Sequence, residues 1–197
     1  EILNAVVDAL NNHKDIPVLT DTNFITRYGE NLFDANILGA FKRRVLLISN
    51  VLVLNIKEAE ILSGMKINDI NDMSYATSLM RTMGVDSVIL KAGQAISSKI
   101  VYFVASEEKE LLFKRDKIDG RGTIGSGSLF SNHIASSIAQ GVDVFSAVED
   151  AINILHQAIA TSQYKEQETG WINLDFTHEA DNNISVEEIE LPKRAAE

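Results

Sequence analysis

Two short apolar runs without polar alternation, set among stretches of helical periodicity, leave this chain few architectures to choose from. "VLVLN" (51–55) and "DSVILK" (86–91) carry the continuous pattern of strands buried on both faces. Between them "IKEAEILSG" reads as a short helix stopped by Gly64, and Met73, Ala76, Leu79, Met80 and Met83 mark another. "IPVLT" (16–20) reads as a further strand that ends at Asp21. A helix over residues 2–12 precedes it, and Leu38, Phe41, Val45 and Ile48 mark a helix after it. "KIVYFVA" and "ELLFKR" read as a hairpin around Ser106–Lys109. Helices from about Leu129 to Gln140 and from Val144 to Ile159 follow. Strands alternating with helices predict an α/β fold, a largely parallel sheet with helices on both faces. A chain of 197 residues suits one such domain. Past Phe176 periodicity is lost and acidic residues gather, so the expected division is a domain over 1–176 and a poorly ordered acidic tail over 177–197.

Composition removes several functions. With no cysteine there is no disulfide framework, thiolate zinc site or cysteine nucleophile, and a reducing, cytoplasmic location is expected. A net charge of −10 with no basic stripe argues against nucleic acid as a partner. The longest apolar run, "VLLISNVLVL", is interrupted by Ser49 and Asn50 and falls short of a membrane span, so no membrane partner is expected. The amino end reads as an amphipathic helix, not as a signal peptide.

In open parallel sheets ligands gather at the carboxyl ends of the strands. There this sequence places Asp21, then Asn55 with Glu58 three residues on, then Lys91 followed by "AGQ". A cation, an amide and two carboxylates suit phosphates with Mg²⁺, which prefers carboxylate and water oxygens. Each residue also has a plainer reading. Asn55 and Glu58 have the spacing of a capping box, Asp21 that of a turn former, and a strand-end Lys is usually solvated. His13, His133, His156 and His178 show no metal-ligand spacing, and Trp171 stands alone without an assigned role.

The stretch "KIDGRGTIGSGSLFSNHIASSIAQG" (117–141) packs glycines at 120, 122, 125 and 127 before an apolar helix. It contains a literal G-x-G-x-x-G at Gly120, Gly122 and Gly125. A dinucleotide fingerprint opens the first βα unit, whereas this one follows a hairpin late in the sheet, so the match reads as fortuitous. No Gly-Lys-Ser/Thr occurs, which excludes a Walker A loop. "GSGS" (125–128) has two readings. Free N–H groups at a helix start, with glycines admitting close approach, make an anion site with the Ser128 hydroxyl at its mouth. Alternatively it is a Gly/Ser loop with Ser128 as N-cap.

The order of these pieces resembles the ribokinase-like superfamily, and within it the hydroxymethylpyrimidine/phosphomethylpyrimidine kinases of thiamine biosynthesis. "IDGRGTIGSGSLFS" (118–131) resembles that family's segment before its catalytic helix. "VLNIKEAEILSG" resembles its Asn-x-x-Glu motif, "LKAGQ" its V-K-G-G-H, and "DTNF" its D-P-V-M. The resemblance implies a three-layer α/β/α sandwich with a mostly parallel sheet, commonly dimeric. It implies phosphoryl transfer from ATP, with Mg²⁺, to an aminopyrimidine. By resemblance, Gly125, Ser126, Gly127 and Ser128 form the catalytic anion hole, and Lys91, Gly93, Thr123 and Asn55 face the nucleotide. Asp21 and Glu58 organise the metal. A pyridoxal kinase-like enzyme and a non-catalytic relative are the competing expectations. Ser128 stands where the family has Cys and the superfamily Asp, Ile124 where it has His, Ala92 where it has Gly. The family pattern also carries first strands and a Gly-rich pyrimidine-binding segment ahead of the matched portion.

Overall fold

The structure is a computed structural model that describes residues 1–26, 30–118, 122–162, 170–175 and 183–190. It divides into two compact units, Glu1–Phe113 with Val186–Glu197, and Lys114–Ser185.

The first unit opens with α1 (Ile2–Leu10), β1 (Leu19–Asp21) and α2 (Ala35–Ala40). Helical chain continues past α2 as a π turn over Phe41–Val45 and a 3₁₀ turn over Leu46–Ile48. The helix expected around Leu38–Ile48 is therefore a run of changing pitch, α, then the wider π, then the tighter 3₁₀, that buries Phe41 and Leu46. Next come β2 (Val51–Asn55), α3 (Ile56–Ser63), α4 (Ile70–Thr82), β3 (Ser87–Gly93), β4 (Ile100–Ala105) and β5 (Glu110–Arg115). β1, β2 and β3 pair in parallel, and β4 runs antiparallel to β3. The hairpin turn between β4 and β5 is closed by Ser106 N–H donating to the Lys109 carbonyl at 3.0 Å. The sheet is thus mixed, parallel over its first three strands, as the α/β reading of the sequence requires.

Alternation explains the core. Leu52 and Leu54, Val88 and Leu90, and Val101, Phe103 and Ala105 share one sheet face with Ala59 and Leu62 of α3 and Met73, Ala76 and Met80 of α4. Val53, Ile89 and Val104, on the alternate positions, are equally buried. That two-sided burial is why these runs show no polar alternation.

The acidic stretch read as a tail contains a strand, β8 (Ser185–Ile189), which stands beside β5 at the end of the sheet in the order β1-β2-β3-β4-β5-β8. Its four exposed residues of five hide the strand from a reading based on burial, because an edge strand facing water needs no apolar alternation.

The second unit holds β6 (Gly122–Ile124), α5 (Ser126–Ala139), α6 (Val144–Ala160) and β7 (Gly170–Trp171). α5 and α6 pack together, with Phe130, Ile134, Val148, Ala151 and Ile152 buried, and the His133 ring lies 2.7 Å from the Asp150 carboxylate. β6 pairs in parallel with β7, and the Ile172 N–H donates to the Ile124 carbonyl at 3.0 Å. Gly120 of the G-x-G-x-x-G lies outside the described residues. Among the described residues no helix is long and apolar enough to cross a membrane.

Candidate active site

Five of the expected site residues, Asp21, Asn55, Glu58, Lys91 and Gly93, lie in the first unit. Register places Asn55 of β2 opposite Lys91 of β3, both at carboxyl strand ends. Asp21 ends β1 one strand over, where Lys91 Nζ reaches its carboxylate at 3.1 Å. The pair is half-buried, with side-chain exposures of 23% for Lys91 and 20% for Asp21. Asn55, Lys91, Ile56 and Lys57 line an open cavity of about 350 Å³ with Ile25, Thr26 and Ala92. Two ammonium groups and an amide at one opening favour an anion. Gly93 lies just past Lys91 at φ +56, where the register against β4 shifts, so the strand bends directly after the lysine.

Glu58 is the buried support of this arrangement, 1% exposed. Its Oε2 accepts from the Asn55 N–H at 3.0 Å and the Thr22 hydroxyl at 2.8 Å. Its Oε1 accepts from the Phe24 N–H at 3.0 Å. The Asn55 side chain in turn accepts from the Glu58 N–H at 3.0 Å, which completes a capping box at the start of α3. The capping box that the spacing of Asn55 and Glu58 suggested is present. Glu58 goes beyond capping, because through Thr22 and Phe24 it also fixes the chain that leaves β1 at Asp21. Thr22 and Phe24 were not singled out from sequence. Thr22 is 2% exposed, and nothing local in "DTNF" signals that its hydroxyl meets a carboxylate 36 residues away.

The remaining expected residues lie in the second unit. α5 begins at Ser126, three residues before the start expected at Leu129. Gly125 is the N-cap at φ +93, a backbone region that side chains other than glycine's rarely enter. Ser126, Gly127 and Ser128 are therefore the first turn of the helix itself, and the reading of Ser128 as N-cap does not hold. The first helical bond, from the Leu129 N–H to the Gly125 carbonyl, is 2.9 Å. The N–H groups of residues 126–128 have no intrahelical acceptor. α2, α3, α4 and α6 each start on an Asp or Asn whose side chain accepts from the first turn. α5 has no side-chain cap. Its donors and its dipole face outward, the arrangement that receives an anion. Ser128 is exposed at this mouth, and Thr123 lies exposed on β6 just before it.

Among the described residues no group of three or more His, Cys, Asp or Glu could hold an ion.

A family model described as phosphomethylpyrimidine kinase matches residues 1–173. The chain belongs to that family. It is 31% identical over 161 residues to the thiamine biosynthetic bifunctional enzyme of Arabidopsis thaliana, covering 78% of this chain and 30% of that protein. The hydroxymethylpyrimidine/phosphomethylpyrimidine kinase of Aquifex aeolicus is 25% identical over 176 residues, covering 89% of this chain and 68% of that one. Among solved structures, the pyridoxal kinase of Staphylococcus aureus superposes with a TM-score of 0.82 at 21% identity, over 95% of this chain and 69% of that chain. The phosphomethylpyrimidine kinase of Clostridium difficile superposes with a TM-score of 0.68 at 20% identity, over 80% and 64%. These likenesses establish the ribokinase-like α/β fold. This member of the phosphomethylpyrimidine kinase family spans about a third of the bifunctional relatives it matches and 68% of the Aquifex enzyme.

Proposed function

We propose that the protein phosphorylates 4-amino-5-hydroxymethyl-2-methylpyrimidine and its monophosphate with ATP, in the synthesis of thiamine diphosphate. Family membership supports the reaction class. The observation that carries the reading to residues is the uncapped first turn of α5. In this reading the N–H groups of Ser126, Gly127 and Ser128 receive the phosphoryl group in transit. Preorganised backbone donors aimed at developing charge are a main source of catalysis in such transfers. In the first step the substrate's hydroxymethyl oxygen forms the new P–O bond, the bond from the terminal phosphorus to ADP breaks, and the hydroxyl proton leaves to solvent; in the second a phosphate oxygen of the monophosphate forms the new bond as ADP leaves. Ser128 orients that hydroxyl. A serine is no base near neutral pH, so turnover rests on positioning and on the donors.

In this reading Lys91 and Asn55 at their cavity, with Gly93, face the nucleotide in the first unit, and Thr123 faces it in the second. A Mg²⁺ ion supplies charge neutralisation to the phosphates of a bound nucleotide. Mg²⁺ in such sites takes one or two carboxylates and the phosphates instead of an all-protein cage, which fits the donor set here. Asp21 is the carboxylate that fits as ligand. Glu58, its oxygens held by three protein donors, acts as the organiser that keeps Asp21 and Asn55 in place. The reading includes a cytoplasmic homodimer with a small-molecule substrate and without nucleic acid or membrane as partners; the net charge of −10 supports the exclusion of nucleic acid.

The test is MgATP-dependent phosphorylation of the pyrimidine and of its monophosphate by the protein as it occurs in the cell. Product at both steps is expected, with Ser128→Ala lowering turnover about ten- to a hundredfold while ATP binding survives. ATP binding without any product would replace this reading by that of a phosphate-binding relative.

A further inference from the structure

Trp171 is 70% exposed, the chain's one tryptophan, and it stands beside the first turn of α5. A Cβ placed on Gly125 would lie 3.7 Å from Trp171 Cε3. The neighbouring Ile172 is 8% exposed and anchored by its N–H on the Ile124 carbonyl, so β7 fixes the position of the indole while leaving most of it in water. Packing in the second unit therefore holds the backbone of the indole, not the indole itself. A large aromatic surface left wet next to three unpaired N–H donors pairs an apolar plate with an anion seat. A phosphorylated planar heterocycle presents the same two features.

We propose that Trp171 is a binding residue, a stacking plate for the heteroaromatic ring of a ligand whose phosphate sits on the N–H groups of Ser126–Ser128. The inference rests on the phosphate reading of that turn given above and adds to it the face that the ring meets. Two ligands share this chemistry, the pyrimidine monophosphate and the adenine nucleotide. Closeness of the indole to Gly125 favours a ring joined to its phosphate through one carbon. In a nucleotide the base stands a ribose away from its nearest phosphate and further still from its terminal one. Stacking of this kind is insensitive to the ring's substituents, so the plate sets affinity for an aromatic ring and leaves discrimination between rings to polar neighbours.

Being the one tryptophan, Trp171 reports on itself. The full chain is titrated with the pyrimidine monophosphate, with MgADP and with inorganic phosphate, following indole emission and, in parallel, heat. The pyrimidine monophosphate is expected to quench emission saturably, and phosphate alone to bind with little change in emission. Trp171→Ala is expected to weaken the quenching ligand about tenfold or more, while Trp171→Phe, which keeps a ring, recovers most of the affinity. Quenching by MgADP alone, with the same pattern in the variants, assigns the plate to the base of the nucleotide. Equal affinity for wild type and Trp171→Ala, with emission unchanged, overturns the proposal and leaves the phosphate reading standing. Absence of heat with all three ligands overturns both. Because the indole is mostly in water, its replacement leaves the fold intact, which circular dichroism of each variant verifies.

Discussion

Glu58→Gln removes one charge and one acceptor atom at nearly constant shape, and the structure sets the size of the effect. The wild-type carboxylate meets three donors, the Asn55 and Phe24 N–H groups and the Thr22 hydroxyl, at 1% exposure. An amide brings one acceptor oxygen and an NH₂. If its oxygen faces Phe24, the NH₂ opposes the Asn55 N–H. If it faces Asn55, the NH₂ opposes Phe24. Thr22 can adapt, since its hydroxyl also reaches the Val53 carbonyl at 3.3 Å, but one buried N–H stays unpaired in either orientation. That costs about 1–3 kcal/mol, and the surviving bond falls from charge-assisted to neutral, which costs about 1 kcal/mol more. The release of a buried charge offsets part of this sum. Net destabilisation of about 2–3 kcal/mol is expected, which lowers Tm by roughly 4–12 °C in a chain this long. The assay is urea unfolding of the full chain, with midpoint and slope compared among wild type, Glu58→Gln, Thr22→Val and the double variant. Thr22→Val alone is expected to cost about 1.5–3 kcal/mol, because it removes a hydrogen bond to a charged group. Since both variants act on one bond, their effects should fall short of additive by about 1 kcal/mol or more. A Glu58→Gln protein within about 0.5 kcal/mol of wild type, or strict additivity of the pair, would refute the claim that this carboxylate holds the end of β1.

Three further outcomes follow from other parts of the molecule. Gly125→Ala meets only ordinary contacts with Ile172 and Trp171, so its cost comes from φ +93 alone and should be about 1–2 kcal/mol in the same unfolding assay, with a matching loss of phosphate affinity if α5 starts differently. Glu110 is 3% exposed with an unpaired Oε2, and burial raises its pKa above the ordinary 4.5, only partly offset by the Ser74 hydrogen bond and Arg81. Its folded form holds a proton that the unfolded chain has released, so this group's contribution is fully present below about pH 4.5 and is lost as pH rises through its folded pKa. Glu110→Gln should remove that loss and unfold at higher urea than wild type near neutral pH.

The strands and helices of the first unit were legible because their burial is two-sided or periodic. "VLVLN" and "DSVILK" have no other use in a sheet, and α4 buries Met73, Ala76 and Met80 at the spacing the sequence displays. β8 was not legible, because its residues face water and its place is set by an available edge at β5 instead of by its own pattern. Start positions failed where the capping residue was misread. "GSGS" looked like loop leading to a helix at Leu129, yet a glycine at positive φ serves as N-cap as well as a serine does, and the helix takes in Ser126 to Ser128. Asp21, Asn55 and Lys91 were placed together correctly because position at a strand end is legible from the sequence. Thr22 and Phe24 were missed because their contacts depend on a partner distant in sequence, Glu58.

The contrast between α3 and α5 bears on which helix start carries the chemistry. At α3 the sequence supplies Asn and Glu three apart, and the two groups consume one backbone donor each, so that helix start is stabilised from within. At α5 the sequence supplies glycine at the cap, which gives up only roughly a few tenths of a kcal/mol relative to a side-chain cap and leaves the first-turn donors open. A helix of 14 residues packed through Phe130 and Ile134 retains its stability without the cap. The side-chain-capped helices start on Asp34, Asn55, Asp69 and Asp143 with extended backbones, whereas residue 125 sits at φ +93 and takes glycine. Both sites use the same backbone physics. In the first unit it is spent on holding Asp21 and Asn55 still beside Lys91. In the second it is left unspent, and that is where the proposed function seats its phosphoryl group.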